Sequence, residues 1–118
     1  MYITCFVIPV PSDGLDAYRA WATNSAALLQ EFGCLEIVEA IGDMIPIGRT
    51  TDFLRAVDAR ADETIVMVWQ VWPDRAALEE SEARLHASGR LDSAGEPPFD
   101  ARRLIVGGFA PILTFGRA

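Results

Sequence analysis

Along the segment Thr64 to Trp72 neither alternating set of side chains is consistently polar. Thr64, Val66, Val68, Gln70 and Trp72 point one way, and Ile65, Met67, Trp69 and Val71 point the other. A strand of this kind has to be covered on both faces. Pro73-Asp74 stops it and opens a helix, which can supply one cover. Elsewhere the patterning is more ordinary. Tyr2 to Val10 reads as a first strand, ended by Pro9-Val10-Pro11 because proline cannot continue a ladder. Leu15, Tyr18, Ala22, Ser25, Leu29 and Phe32 recur at three- and four-residue spacing, which predicts a helix entered through Ser12 or Asp13 and stopped at Gly33.

Cys34 to Gly42 predicts a second strand, and a long connection from Asp43 to Glu63 follows, in which Thr51-Asp52 can cap one helical turn. In the second long helix Asp74 is the cap, Ala77, Leu78, Ser81 and Leu85 share a face, and Ser88-Gly89 is the stop. Glu80 and Arg84 stand outside at a spacing that suits an ion pair. Arg102 to Ala110 predicts a fourth strand. Gly107-Gly108 inside it implies a bulge or a close backbone approach, and Pro111 to Phe115 reads as a bent continuation.

The order strand, helix, strand, strand, helix, strand predicts an α+β fold, the ferredoxin-like βαββαβ arrangement with an antiparallel sheet and both helices on one face. In that topology the first and third strands are central, and here they are the most apolar. The helices cover one face only, so an isolated subunit would leave an apolar sheet surface in water. Two sheets packed face to face remove it, and the expected assembly is a homodimer. At 118 residues the chain, 1–118, is expected to form one domain around one core.

With 51% apolar residues, disorder is not expected. The net charge is −7 and all ten basic residues are arginines, without a basic run. Such a chain gains nothing from neutralising phosphates, so nucleic acid and anionic membrane surfaces are disfavoured as partners. A small molecule or another protein remains. No apolar run approaches the ~20 residues that span a bilayer, and Met1-Tyr2-Ile3 enters the first strand without signal-peptide features, which makes the cytoplasm the expected compartment. Cys5 and Cys34 sit among apolar residues and read as buried free thiols. With one histidine they make no recognisable metal site, and no cofactor motif is present.

Candidate chemistry is sparse. Glu39 shares a strand face with Leu35, Ile37 and Ile41, a setting for a general base or ligand anchor; the plainer reading is a solvated edge residue or an ion pair with Arg103 or Arg49. Asp43 and Asp100 each follow a turn and accept backbone amides there, unless both loops rim one cavity. Trp69, Trp72 and Phe109 could line such a cavity, although core packing accounts for them equally well. The candidate pocket is therefore Glu39, Asp43, Trp69, Asp100, Arg103 and Phe109. His86 is read as a solvated helix-end residue. Gly107-Gly108 lacks the spacing of a phosphate loop.

Ile41-Gly-Asp43, the turn from Thr51-Asp-Phe53 to Ala56-Val57, Val68-Trp69, Trp72-Pro-Asp-Arg-Ala76, Pro98-Phe-Asp100 and Arg103-Leu-Ile-Val-Gly-Gly-Phe109 occur in one order. Together they resemble the bacterial YbaA-like family of unknown function over nearly the whole chain. The resemblance implies the dimeric α/β-barrel superfamily of ferredoxin-like domains. Arginine or neutral residues stand at several positions where that family usually carries lysine, and Pro97 stands where it often has methionine; both are surface or loop changes. Neighbouring families include cofactor-free monooxygenases, haem-degrading enzymes, dehydratases and ligand sensors, so the resemblance selects no reaction. Two expectations follow. The first is a homodimer binding or transforming a small, partly apolar molecule between sheet and helices; the second is a non-catalytic interaction or stress-associated dimer.

Overall fold

The computed structural model describes residues 1–92 and 95–116. Its elements are β1 (Tyr2–Pro11), a 3-10 turn at Ser12–Gly14, α1 (Leu15–Glu31), β2 (Glu36–Ile41), a one-turn α2 (Phe53–Ala56), β3 (Glu63–Trp72), α3 (Arg75–Ser88) and β4 (Ile105–Phe109). The four strands form one antiparallel sheet in the order β2-β3-β1-β4. The two long, apolar strands are central and the two shorter ones lie at the edges, as the patterning expects.

Register fixes which side chains share a face. Thr4 stands opposite Gln70, Phe6 opposite Val68, and Ile8 opposite Val66. On the far side of β3, Glu39 pairs with Val68 and Ile37 with Gln70. This is the helix-covered face. Ile8, Val10, Val66 and Val68 pack there with Tyr18 and Ala22 of α1, and Trp72 packs with Leu78 of α3 and with Cys34.

Neither α1 nor α3 packs on the opposite face, where Pro9, Ile65 and Val71 are nonetheless buried. Cys5, Val7, Val38, Met67, Trp69, Ile105 and Phe109 point toward it by the same register. Phe109 is 56% exposed and Ile105 45% exposed. Beyond β4 the segment Pro111–Phe115 is not a strand, and Ile112, Leu113 and Phe115 are solvent-exposed. The indole Nε1 of Trp69 is buried without a partner among the described residues.

Local signals account for most element ends. Asp74 Oδ1 accepts the Ala77 amide at 2.7 Å and Asp52 Oδ1 accepts the Arg55 amide at 2.8 Å, each satisfying a free first-turn donor. Gly89 ends α3 in the left-handed conformation, φ 70°. Three expectations shift. Neither Ser12 nor Asp13 caps α1 through its side chain; instead the 3-10 turn leads in, and the Ser12 amide donates to Asp62 O at 2.8 Å. β4 begins at Ile105 rather than Arg102, because Asp100 to Arg103 closes a turn through Arg103 N–H to Asp100 O at 3.1 Å. Glu80 and Arg84 make no ion pair among the described residues; the Arg84 guanidinium lies 5.1 Å from the Phe32 ring centroid.

The register of β4 against β1 runs unbroken from Val7–Ile105 to Ile3–Phe109, so its glycines mark no bulge. A Cβ on Gly108 would collide with the Tyr2 ring and hydroxyl, which makes this the close approach.

Candidate functional site

A groove of about 380 Å³ runs between α1 and the edge strand β2. Its walls are Leu15, Ala22, Ala26, Ile37, Ile41 and Val66, and Arg19, Thr23 and Gln30 supply polar edges. The size and the apolar lining with a few polar groups match small-molecule sites. Inside it the Tyr18 hydroxyl donates to Glu39 Oε1 at 2.5 Å. Helix spacing turns Tyr18 inward, where it is 5% exposed, and strand alternation turns Glu39 to the same face. Glu39 itself is exposed, because β2 is an edge strand and α1 stands clear of it.

The Tyr18 ring is held from behind. Trp21 and Phe99 both lie 5.9 Å from it, centroid to centroid, and Trp21 meets Phe99 edge-on at 5.3 Å. Phe99 comes from the Pro98-Phe-Asp100 motif, so that loop steadies the tyrosine from across the fold. Burial foremost, then the hydrogen bond to Glu39 and its negative charge, push the Tyr18 phenol well above its ordinary range. The phenol therefore stays a donor, one carboxylate oxygen is fixed, and the other is available. Such a pair can accept an N–H or O–H from a bound molecule, or take a proton from it.

The residues singled out in the sequence fall into separate places. Glu39 lines the groove, with Tyr18 rather than Arg103 or Arg49 as its partner. Trp69 and Phe109 stand on the open sheet face. Asp43 is exposed in the loop after β2. Asp100 and Arg103 form a third group: Arg103 Nε donates to Asp100 Oδ2 at 3.0 Å, Nη1 to Asp58 O at 2.8 Å and to Glu63 Oε1 at 2.7 Å, and Nη2 to Glu63 Oε2 at 2.5 Å. With all three nitrogens engaged, this guanidinium ties the start of β3 to the loop before β4. The Arg103 hydrogen bonds hold the Glu63 carboxyl below its usual range, and Arg102 and Arg103 together hold Asp100 well below it. Asp100 also accepts the Arg102 amide at 3.1 Å, the turn role expected of it.

The patterning places Tyr18 in the packing stripe of α1 and gives it no further role. A tyrosine in the packing stripe, facing a strand that places a carboxylate on the same side, was the available signal.

His86 is exposed. Cys34 is a buried free thiol whose Sγ–H points at Glu36 O, 3.4 Å, and Val71 O, 3.5 Å; Cys5 is half-buried and also free. Burial raises both thiols above their ordinary values. Among the described residues no three His, Cys, Asp or Glu side chains are grouped to hold a metal ion, and no helix is long and apolar enough to cross a membrane.

These features define an α+β protein with a four-stranded antiparallel sheet, helices on one face and an open groove beside an edge strand. The chain belongs to the family described as Protein of unknown function (DUF1428), which matches residues 1–101. It is 39% identical over 113 residues to the uncharacterized protein YbaA of Escherichia coli strain K12, covering 95% of this chain and 97% of that one. The same figures hold for YbaA of Shigella flexneri. Among solved structures, the de novo designed protein Foldit4 aligns with a TM-score of 0.45 at 14% identity, over 93% of this chain and 97% of that one.

Proposed function

We propose that this protein is a cytoplasmic homodimer of single ferredoxin-like domains that binds a small, partly apolar molecule in the groove between α1 and β2. The observation that carries the reading is the Tyr18–Glu39 pair, a hydrogen-bonded carboxylate aimed into an apolar groove. Glu39 is the group that meets the ligand, accepting a hydrogen bond or removing a proton. Tyr18 positions that carboxylate. If the bound molecule is also transformed, proton transfer of the isomerase or cofactor-free oxygenase kind is the chemistry this pair can serve.

Support for the dimer is the exposed Val38, Met67, Ile105 and Phe109 on the sheet face turned away from α1 and α3, together with the exposed Ile112, Leu113 and Phe115 that follow β4. Water contact over so much adjoining apolar surface is uncommon for a monomer. Pairing through this face gives the dimeric α/β barrel and leaves both grooves facing outward.

A thermal-shift screen of metabolites, followed by Glu39→Gln, tests the binding reading. The expected result is a stabilising compound whose effect falls at least tenfold in apparent affinity in the variant. A hit indifferent to Glu39→Gln, or a broad screen without a stabilising compound, removes the proposal.

A further inference from the structure

A second cavity, about 460 Å³, lies under α3 on the same sheet face, bounded by Phe6, Leu29, Leu78, Leu85 and Val106. It shares none of its lining with the α1–β2 groove apart from the sheet that floors both. Three buried polar side chains meet at its floor. Trp72 Nε1 donates to Thr4 Oγ1 at 3.2 Å, and Thr4 Oγ1 donates to Gln70 Oε1 at 2.8 Å.

An indole nitrogen can only donate, so the threonine oxygen is an acceptor toward Trp72. Its proton goes to Gln70, whose carbonyl oxygen faces Thr4. The amide nitrogen of Gln70 is turned away from that bond. It makes no hydrogen bond among the described residues, yet it is not one of their sealed, unpartnered atoms, and Gln70 lines the cavity while only 8% exposed. The side chain that carries this neutral donor thus lines the cavity, its orientation set by two buried neighbours.

We infer that this cavity is a second ligand site, independent of the groove reading, for a neutral, mainly apolar molecule that puts a carbonyl oxygen against Gln70 Nε2. Leucine side chains take the body of the ligand, and Glu82 and His86 stand at the rim on successive turns of α3. A carboxylate ligand is disfavoured, since the rim carries Glu82 and no arginine is among the described residues that line the cavity.

Acetophenone and ethylbenzene differ chiefly in the carbonyl and serve as a matched probe pair. Each is titrated into isotope-labelled protein while the Gln70 side-chain amide and the Leu78 and Leu85 methyl signals are followed by NMR. Acetophenone should shift all three and bind about tenfold more tightly than ethylbenzene, the expected worth of one buried hydrogen bond. Gln70→Met should abolish that difference, Val106→Trp, at an exposed position on the mouth, should weaken both probes, and Glu39→Gln should change neither. If Gln70→Met does not fold, the probe pair and Val106→Trp decide alone. Equal binding of the two probes, no binding of either up to its solubility, or shifts confined to Ala22, Ala26 and Ile37 of the groove would overturn the inference.

Discussion

Thr4→Val isolates the polar chain beneath α3 from the packing around it. Valine keeps the shape of threonine, so the core around Ile8 and Trp72 is not opened; only the hydroxyl is lost. Two partners then stand alone. The Trp72 indole N–H, on a residue 1% exposed, loses its acceptor. A buried donor stranded in this way costs about 1–3 kcal/mol. Gln70 Oε1 loses its donor too, but Gln70 borders the cavity and can be rehydrated, so its share is nearer the ~0.5–1 kcal/mol of an ordinary hydrogen bond. The sum is roughly 1.5–4 kcal/mol, or a fall in Tm of roughly 10 °C for a chain of this size. Chemical denaturation followed by circular dichroism measures it, at fixed protein concentration because assembly shifts apparent stability. Gln70→Met should cost less, about 1 kcal/mol, because Thr4 can still accept from Trp72. The double variant should lose less than the two single losses added. Thr4→Val within about 0.5 kcal/mol of the wild type would refute the chain of reasoning from indole to amide.

Tyr18→Phe should lower stability by about 1 kcal/mol, since the exposed Glu39 regains water, while ligand affinity in the groove falls; unchanged affinity by calorimetry would leave Tyr18 a packing residue. For Arg103→Ala the sign follows from the carboxyls it holds. Glu63 and Asp100 are lowered in the folded state, so their contribution is present above the unfolded values near ~4 and is lost as pH falls through the folded ones. The variant should therefore be clearly less stable at pH 7, and the gap should narrow below about pH 4, as read from urea midpoints across pH; a gap constant with pH would contradict the assignment. Asp74→Ala should cost about 1 kcal/mol through loss of the Ala77 cap, and Asp74→Asn should recover most of it in the same assay.

The architecture was legible because its signals are local and repeated. Period-two alternation in β1 and β3, the stripe from Leu15 to Phe32, and the caps at Asp52 and Asp74 each specify an element without reference to the others. Gly33 and Gly89 mark helix ends for the same reason. The site was less legible, because it depends on which side chains meet across elements. Glu39 could be placed on a face from alternation alone, but its partner comes from α1, and the depth of α1 over the sheet edge is set by the Tyr18, Trp21 and Phe99 cluster. Phe99 is separated from Trp21 by most of the chain. Arg103 was a candidate anchor by residue type; its environment of Glu63, Asp58 and Asp100 draws on three distant segments and turns it into a tie. The start of β4 was missed by three residues because the Asp100 turn competes with strand propensity there.

Beneath the functional reading lies one physical claim, that the side of the sheet turned away from α1 and α3 is shielded by a second copy of the chain. Sedimentation velocity from one to a hundred micromolar tests it most directly, with Met67→Arg in the middle of that face as the comparison. The account predicts a species of twice the subunit mass for the wild type and a shift toward single subunits for the variant. A wild-type chain that sediments as one well-behaved subunit throughout that range contradicts it.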